Sequence, residues 1–314
     1  MRHLKFIAVA LLVLGCTPKD EITCYTDYVD PKIGSGGHGH VFVGANVPFG
    51  MVQLGPTSIP QEWDWCSGYH DSDSTVIGFS HTHLSGTGIG DLFDITVMPV
   101  VGEVTYGRGR EEDPSTGMWS YADRSREVTR PGYYSVPLTR YGITAEMTAT
   151  NRVGLHRYTF PQSEEAGIVI NLMNGGCWDR PMDAQIERVD PMTGQPDPNG
   201  QALRGYRYSR GWADDQKVYF YAEFSKPFKD FKVIRGDIQI WQDEFKDMAA
   251  FAHAYFEAEP QEQVMMKVAL SPVSMEGAYA NMKAELPGWD FNATAKAADQ
   301  AWNQELGKIK VEGK

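Results

Sequence analysis

The chain has 314 residues, enough to bury a sizeable core in one large or two ordinary domains, and its 42% hydrophobic and 22% charged residues exclude general disorder and a polytopic membrane protein. Lys+Arg number 29 against 41 Asp+Glu, and the net charge of −12 repels phosphate backbones, so nucleic acid is not an expected partner. Eight Trp, 15 Tyr and 14 Phe make 12% of the chain aromatic beside 32 Gly and 18 Pro, which predicts a turn-rich, all-β domain whose surface suits stacking on sugar rings.

Arg2 and Lys5 precede an apolar run from Phe6 to Leu14 that is too short to span a bilayer and reads as a secretory signal. Val13, Leu14 and Gly15 before Cys16 resemble a bacterial lipobox. Residues 1–15 are therefore expected to be removed as a lipoprotein signal peptide, with Cys16 lipidated and 16–27 forming a tether. A plain secretory signal, with Cys16 in the discarded peptide, is the alternative. Lys19-Asp20-Glu21 resembles the acidic tag that sends some lipoproteins outward, so the expected location is the periplasm or the outer-membrane surface, with the lipid anchor in the outer membrane. Cys24, Cys66 and Cys177 are too few for a disulfide framework, and no C-x-x-C spacing suggests zinc; thiols are the expectation.

From Tyr28 to Leu270 the sequence is strand-like. Ser135–Thr150 reads as a hairpin turning near Tyr141-Gly142, with further strands at Leu155–Phe160, Ile168–Leu172, Leu203–Ser209, Val218–Phe224, Ile238–Trp241, Phe251–Phe256 and Val264–Leu270. Short strands with no intervening helices predict a mainly β fold, a large antiparallel two-sheet β-sandwich over 28–271. Asp190–Gly200, rich in Pro and Gly, reads as an exposed excursion. After Pro272 the period changes. Met275, Tyr279, Met282 and Leu286 form a helical stripe with Ser274 placed to cap it, and Pro287-Gly288 ends it. A second stripe follows Asn292: Ala295, Ala298, Trp302, Leu306 and Ile309. The apolar faces of this helical linker, 272–314, need cover, either from the sandwich or from a further domain.

The densest segment for chemistry is Gly34–Asp94. His38/His40 and His81/His83 are two H-x-H pairs; on a strand each would present both rings to one face, a spacing that suits a divalent metal, while hydrogen-bonding histidines in polar loops are the plainer reading. Leu84-Ser85-Gly86 does not fit a nucleophile elbow, and the run Gly86–Gly90 lacks the lysine of a phosphate loop. Trp63 and Trp65 bracket Asp64, and an aromatic face beside a carboxylate matches a pyranose ring with its hydroxyl rim. On a strand, alternation would send one of these tryptophans into the core. Asp64, Asp71, Asp73, Asp91 and Asp94 are candidate carboxylates for glycoside hydrolysis, but their spacing singles out no pair.

Three segments together carry a resemblance: DPKIGSGGHGHVFVGANVPFGMVQLGP (Asp30–Pro56), WDWCSGYHDSDSTVIGFSHTHLSGTGIGDL (Trp63–Leu92) and LSPVSMEGAYANMKAELPGWDFNATAKAADQAWNQELGKI (Leu270–Ile309). They resemble the N-terminal domain of glycoside hydrolase family 92. The resemblance implies exo-acting, calcium-dependent, inverting α-mannosidases that pair a β-sandwich with an (α/α)6 barrel. It also implies that the general acid, general base and calcium ligands belong to that barrel, so no catalytic or metal residue transfers to this sequence and calcium is not expected to be bound by this chain alone. Trp63, Trp65, His81 and His83 are the residues it assigns to the sugar-facing cleft. The expected function is the cleft-forming portion of an α-mannosidase acting on mannose-containing glycans, inactive by itself and completed by a barrel, with a separately encoded barrel domain as a candidate partner. The alternatives are a glycan-binding surface lipoprotein and a metal-dependent hydrolase built on the H-x-H pairs.

Overall fold

Along Ile143–Ala149 the side chains of Ile143, Ala145 and Met147 are buried, while Thr144 and Glu146 between them are half-buried. This is the period of two expected of a pleated strand with one face in a core. Its neighbour Tyr133–Leu138 completes the expected hairpin, with Leu138 opposite Ile143 and the turn at 139–142. Across the next pairing, Glu146 faces Arg157 and bonds its guanidinium at 2.6 and 2.8 Å.

The computed structural model describes residues 24–176, 178–236 and 247–311. The signal segment with Cys16, the thiol of Cys177 and the expected strand Ile238–Trp241 lie outside them. Two antiparallel sheets dominate. One has seven strands in the order Ala45–Asn46, Gln53–Thr57, Gly78–Ser80, Thr96–Val101, Ser163–Asn171, Ala249–Ala258 and Asp230–Arg235. The other has eight, in the order Arg180–Val189, Ala202–Arg210, Gln216–Phe224, Glu262–Ser271, Val153–Phe160, Ile143–Ala149, Tyr133–Leu138 and Val128–Arg130. Leu54, Phe79, Val97 and Ile168 of the first sheet share one apolar cluster with Tyr134, Tyr158, Phe220 and Met266 of the second. The fold is the mainly β, two-sheet architecture expected.

Two helices follow the last strand: α1, Met275–Glu285, and α2, Phe291–Leu306. Ser274 caps α1 by accepting the Gly277 N–H at 3.0 Å, and Asp290 caps α2 through the Ala293 N–H at 2.9 Å. The helical faces find cover on the sandwich. Val153, Leu155, Tyr221 and Ala269, on the outer face of the eight-stranded sheet, pack with Ala278, Met282, Leu286 and Phe291. Trp302 adds a hydrogen bond from its indole to the Asn46 carbonyl at 2.7 Å. Ile309, assigned to the second stripe, lies beyond the end of α2 and is exposed. The Asp190–Gly200 excursion folds back onto α1, where the Tyr279 hydroxyl and Lys283 ammonium donate to the Met192 and Pro191 carbonyls. No helix among the described residues is long and apolar enough to cross a membrane.

Candidate functional site

The loops that precede, join and follow the three short strands at 45–46, 53–57 and 78–80 carry the site. Trp63–Trp65 is a single 3-10 turn, so the expected strand alternation does not apply to it. The turn sends the two indoles to different surroundings. Trp63 keeps 52% of its surface exposed, donates its indole N–H to the Gly88 carbonyl at 2.8 Å and lies against the His40 ring, 4.3 Å between centroids. Gly88 has φ +66°, and a Cβ there would stand 2.9 Å from the Trp63 ring, so this approach requires glycine. Trp65 is half-buried, stacks on His70 at 4.4 Å and donates to Asp73 at 2.7 Å. It braces the turn, and Trp63 presents the free aromatic face.

Asp64 projects between them toward the Gly34–Val41 loop. Its Oδ1 accepts from His38 Nδ1 at 2.7 Å and His40 Nε2 at 3.0 Å. The hydrogen bonds from His38 and then His40 hold the Asp64 carboxyl below its ordinary range. Gly39 makes this convergence sterically feasible, since a Cβ at that position would fall 2.0 Å from the Gly34 carbonyl oxygen. His40 itself has φ +53°, a left-handed backbone rarely taken by a residue with a side chain. The first H-x-H pair therefore converges on a carboxylate 24 and 26 residues away in sequence, a partner that spacing alone does not reveal.

The second pair behaves differently. His81 is fully buried, donates Nδ1–H to the Ile95 carbonyl at 2.6 Å and accepts at Nε2 from His156 at 3.0 Å. The Tyr158 hydroxyl donates in turn to His156 at 2.7 Å. His83 donates to the Gln53 carbonyl at 2.8 Å and is enclosed by the rings of Phe42 and Phe93. Burial pushes both His81 and His83 down to about 4, so they are neutral core imidazoles. In this chain both rings lie inside the sandwich, where the Ile95 and Gln53 carbonyls hold them, and the exposed Trp63 face is elsewhere.

The other four candidate aspartates of the segment are committed to structural bonds. Asp71 pairs with Lys32 at 2.9 Å and is held below its ordinary range by it. Asp73 accepts from Trp65 and the Thr75 N–H, Asp91 from the backbone of Trp212 and Ala213, and Asp94 from Arg207, Thr82 and Gln216. A general acid needs a carboxyl held protonated near neutral pH, and Asp64 and Asp71 are moved the other way. Ser85 accepts the Phe42 N–H at 3.1 Å, and no imidazole is hydrogen-bonded to it among the described residues, which removes the basis for acyl transfer.

Two further aromatics that no sequence motif marks adjoin the site. Trp178 donates its backbone N–H to the Gly90 carbonyl at 3.1 Å, and the Trp212 N–H binds Asp91 at 2.8 Å, so both exposed tryptophans adjoin the loop that holds Trp63. The signal that could have found Trp212 is its place in the turn Arg210-Gly211-Trp212-Ala213-Asp214, where an indole has no strand to enter.

Two family models match the chain: the glycosyl hydrolase family 92 N-terminal domain over residues 28–271, and the glycosyl hydrolase family 92 catalytic domain over residues 277–314. An uncharacterized secreted glycosidase of Arthroderma benhamiae is 28% identical over 90% of this chain and 38% of its own length. The solved structure of a family GH92 α-mannosidase from Bacteroides thetaiotaomicron, in complex with mannoimidazole, superposes with a TM-score of 0.82 at 35% identity, covering 92% of this chain and 38% of that one. A GH92 inverting mannosidase from Bacteroides thetaiotaomicron VPI-5482 shares the fold at a TM-score of 0.72 and 23% identity, over 94% of this chain and 38% of that one. The chain thus spans about two fifths of the length of these relatives.

Proposed function

The chain belongs to glycosyl hydrolase family 92, and on that premise we propose that residues 28–271 form the sugar-facing wall of an inverting, calcium-dependent α-mannosidase that acts on mannose-containing glycans. The observation that carries this reading is the exposed face of Trp63, locked by Gly88 and His40 beside the ionised Asp64. A rigid indole covers the apolar C–H face of a pyranose, and an adjacent carboxylate accepts from its hydroxyls. The acid, the base and the calcium ion are assigned to the family's barrel, whether continuous with this chain or separately encoded. Calcium takes six to eight oxygen ligands, and the one three-residue donor cluster among the described residues, His38, His40 and Asp64, offers two nitrogens, so it does not fit that ion.

The commitment of the five candidate aspartates, Asp64, Asp71, Asp73, Asp91 and Asp94, favours a second reading of the 314 residues taken alone, a glycan-binding surface without hydrolysis. Export fits both readings, and we place the mature N-terminus at a lipidated Cys16, anchored in the outer membrane. Calorimetric titration with methyl α-mannoside tests the sugar face. Weak binding by the wild-type chain is expected to fall about tenfold in Trp63→Ala, a loss on the order of 1.4 kcal/mol. The chain should show no α-mannoside turnover with or without calcium. Undiminished binding by Trp63→Ala would remove the sugar face from the account, and calcium-dependent turnover would remove the assignment of catalysis to the barrel.

A further inference from the structure

We propose that His38, His40 and Asp64 form a binding site for a borderline divalent transition-metal ion, of the zinc type. One donor atom from each residue lies within 4.8 Å of the other two. Tetrahedral ligands at zinc–ligand distances of about 2.0–2.1 Å stand roughly 3.4 Å apart. The two contacts to Asp64, at 2.7 and 3.0 Å, therefore open by roughly 0.7 and 0.4 Å when an ion takes the place between them. No oxidation or reduction is involved: each imidazole binds through the nitrogen that faces Asp64, and the proton that nitrogen carries moves to the other ring nitrogen or to solvent.

Two imidazoles and one carboxylate select zinc, cobalt, nickel or copper over calcium and magnesium. The geometry is built in advance by the backbone. His40 is fixed by its left-handed φ, by the bond from the Gly86 N–H to its carbonyl at 2.7 Å and by the Trp63 ring. His38, 79% exposed, closes the site from the solvent side and leaves a coordination position open to water or a hydroxyl. Bound metal would tie the Gly34–Val41 loop to the Trp63–Trp65 turn and so stiffen the indole that both flank. This site stands on its own donor atoms and does not depend on the sugar reading.

The test uses the 314-residue chain without a polyhistidine tag, stripped with chelator and titrated with zinc by calorimetry and with cobalt by visible d–d absorption. One equivalent is expected to bind, with imidazole-type cobalt bands. His38→Ala and Asp64→Asn, both surface changes checked for folding by far-UV circular dichroism, should each weaken binding by about a hundredfold or more. Asp71→Asn, an exposed carboxylate outside the cluster, should bind as the wild type does. Absence of stoichiometric binding, unchanged affinity in His38→Ala or Asp64→Asn, or an equal loss in Asp71→Asn would each overturn the proposal.

Discussion

Replacing Arg207 with methionine is expected to cost about 3–5 kcal/mol of folding stability, because it strands two carboxylates in the interior. Arg207 sits on the strand Ala202–Arg210 of the eight-stranded sheet with none of its side chain exposed. Its guanidinium reaches Asp94 at 2.6 Å and Asp179 at 2.8 Å, and its Nε–H donates to the Leu172 carbonyl at 3.0 Å, just past a strand of the seven-stranded sheet. The ion triad therefore ties the two sheets together. It also holds the loop that ends at Asp94, which carries Gly88 and so the edge of the Trp63 indole. Arg207→Lys keeps the charge and loses the planar fork, so an intermediate loss is expected. Urea unfolding reads the difference directly. A loss below about 1 kcal/mol in Arg207→Met would mean that the buried charges relax at little cost.

Acid is expected to unfold the protein well above pH 4. Burial pushes His81, His83 and His253 down to about 4, from an ordinary value of 6.5, and drives His156 down as well. As pH falls through 6.5 the unfolded chain takes up protons at these rings, while the folded chain stays neutral until about pH 4. The unfolded state binds more protons throughout that window, so stability is fully present above 6.5 and is lost progressively toward 4. Each fully depressed imidazole contributes a loss on the order of 3 kcal/mol. Several together rival the whole stability of an ordinary domain, about 5–15 kcal/mol. Urea midpoints measured at pH 7, 5.5 and 4.5 should fall steeply, and a flat series would contradict the buried, neutral assignment.

The sequence makes the regular part of the sandwich legible and leaves its first third obscure, for identifiable reasons. Ser135–Thr150, Val218–Phe224 and Phe251–Phe256 alternate or turn in recognisable ways in residue type, although burial follows the alternation only along Ile143–Met147: Phe251–Phe256 is buried at every position but Tyr255, and Phe220–Glu223 is buried on both faces. Thr96–Val101 is almost wholly buried and contains Pro99, so it offers neither alternation nor an ordinary strand composition. The strands at 45–46, 53–57 and 78–80 are short and lie among glycine-rich loops, where local preference predicts only turns. The helical stripes are legible because Ser274 and the 3–4 spacing are local signals, although their burial on the sheet is not.

The site divides in the same way. Trp63 stands out in sequence, yet Trp65 looks identical until the 3-10 turn separates platform from brace. His38/His40 and His81/His83 share one spacing and differ only in what the tertiary fold places around them: a surface carboxylate for the first pair, strands and phenyl rings for the second. Burial is a property of the assembled sheets, and no spacing rule encodes it.

Where the sandwich meets sugar can be read by chemical-shift mapping with methyl α-mannoside. With sugar bound at the Trp63 face, the Trp63 indole N–H and the amides of His38, His40, Asp64 and Gly86–Asp91 are expected to shift together along one saturable curve. The amides around the separate polar cleft lined by Tyr106, Lys229 and Tyr255, about 680 Å³ in volume, should stay in place. Saturable shifts confined to that cleft, or none near Trp63 at saturating sugar, would contradict binding at the Trp63 face.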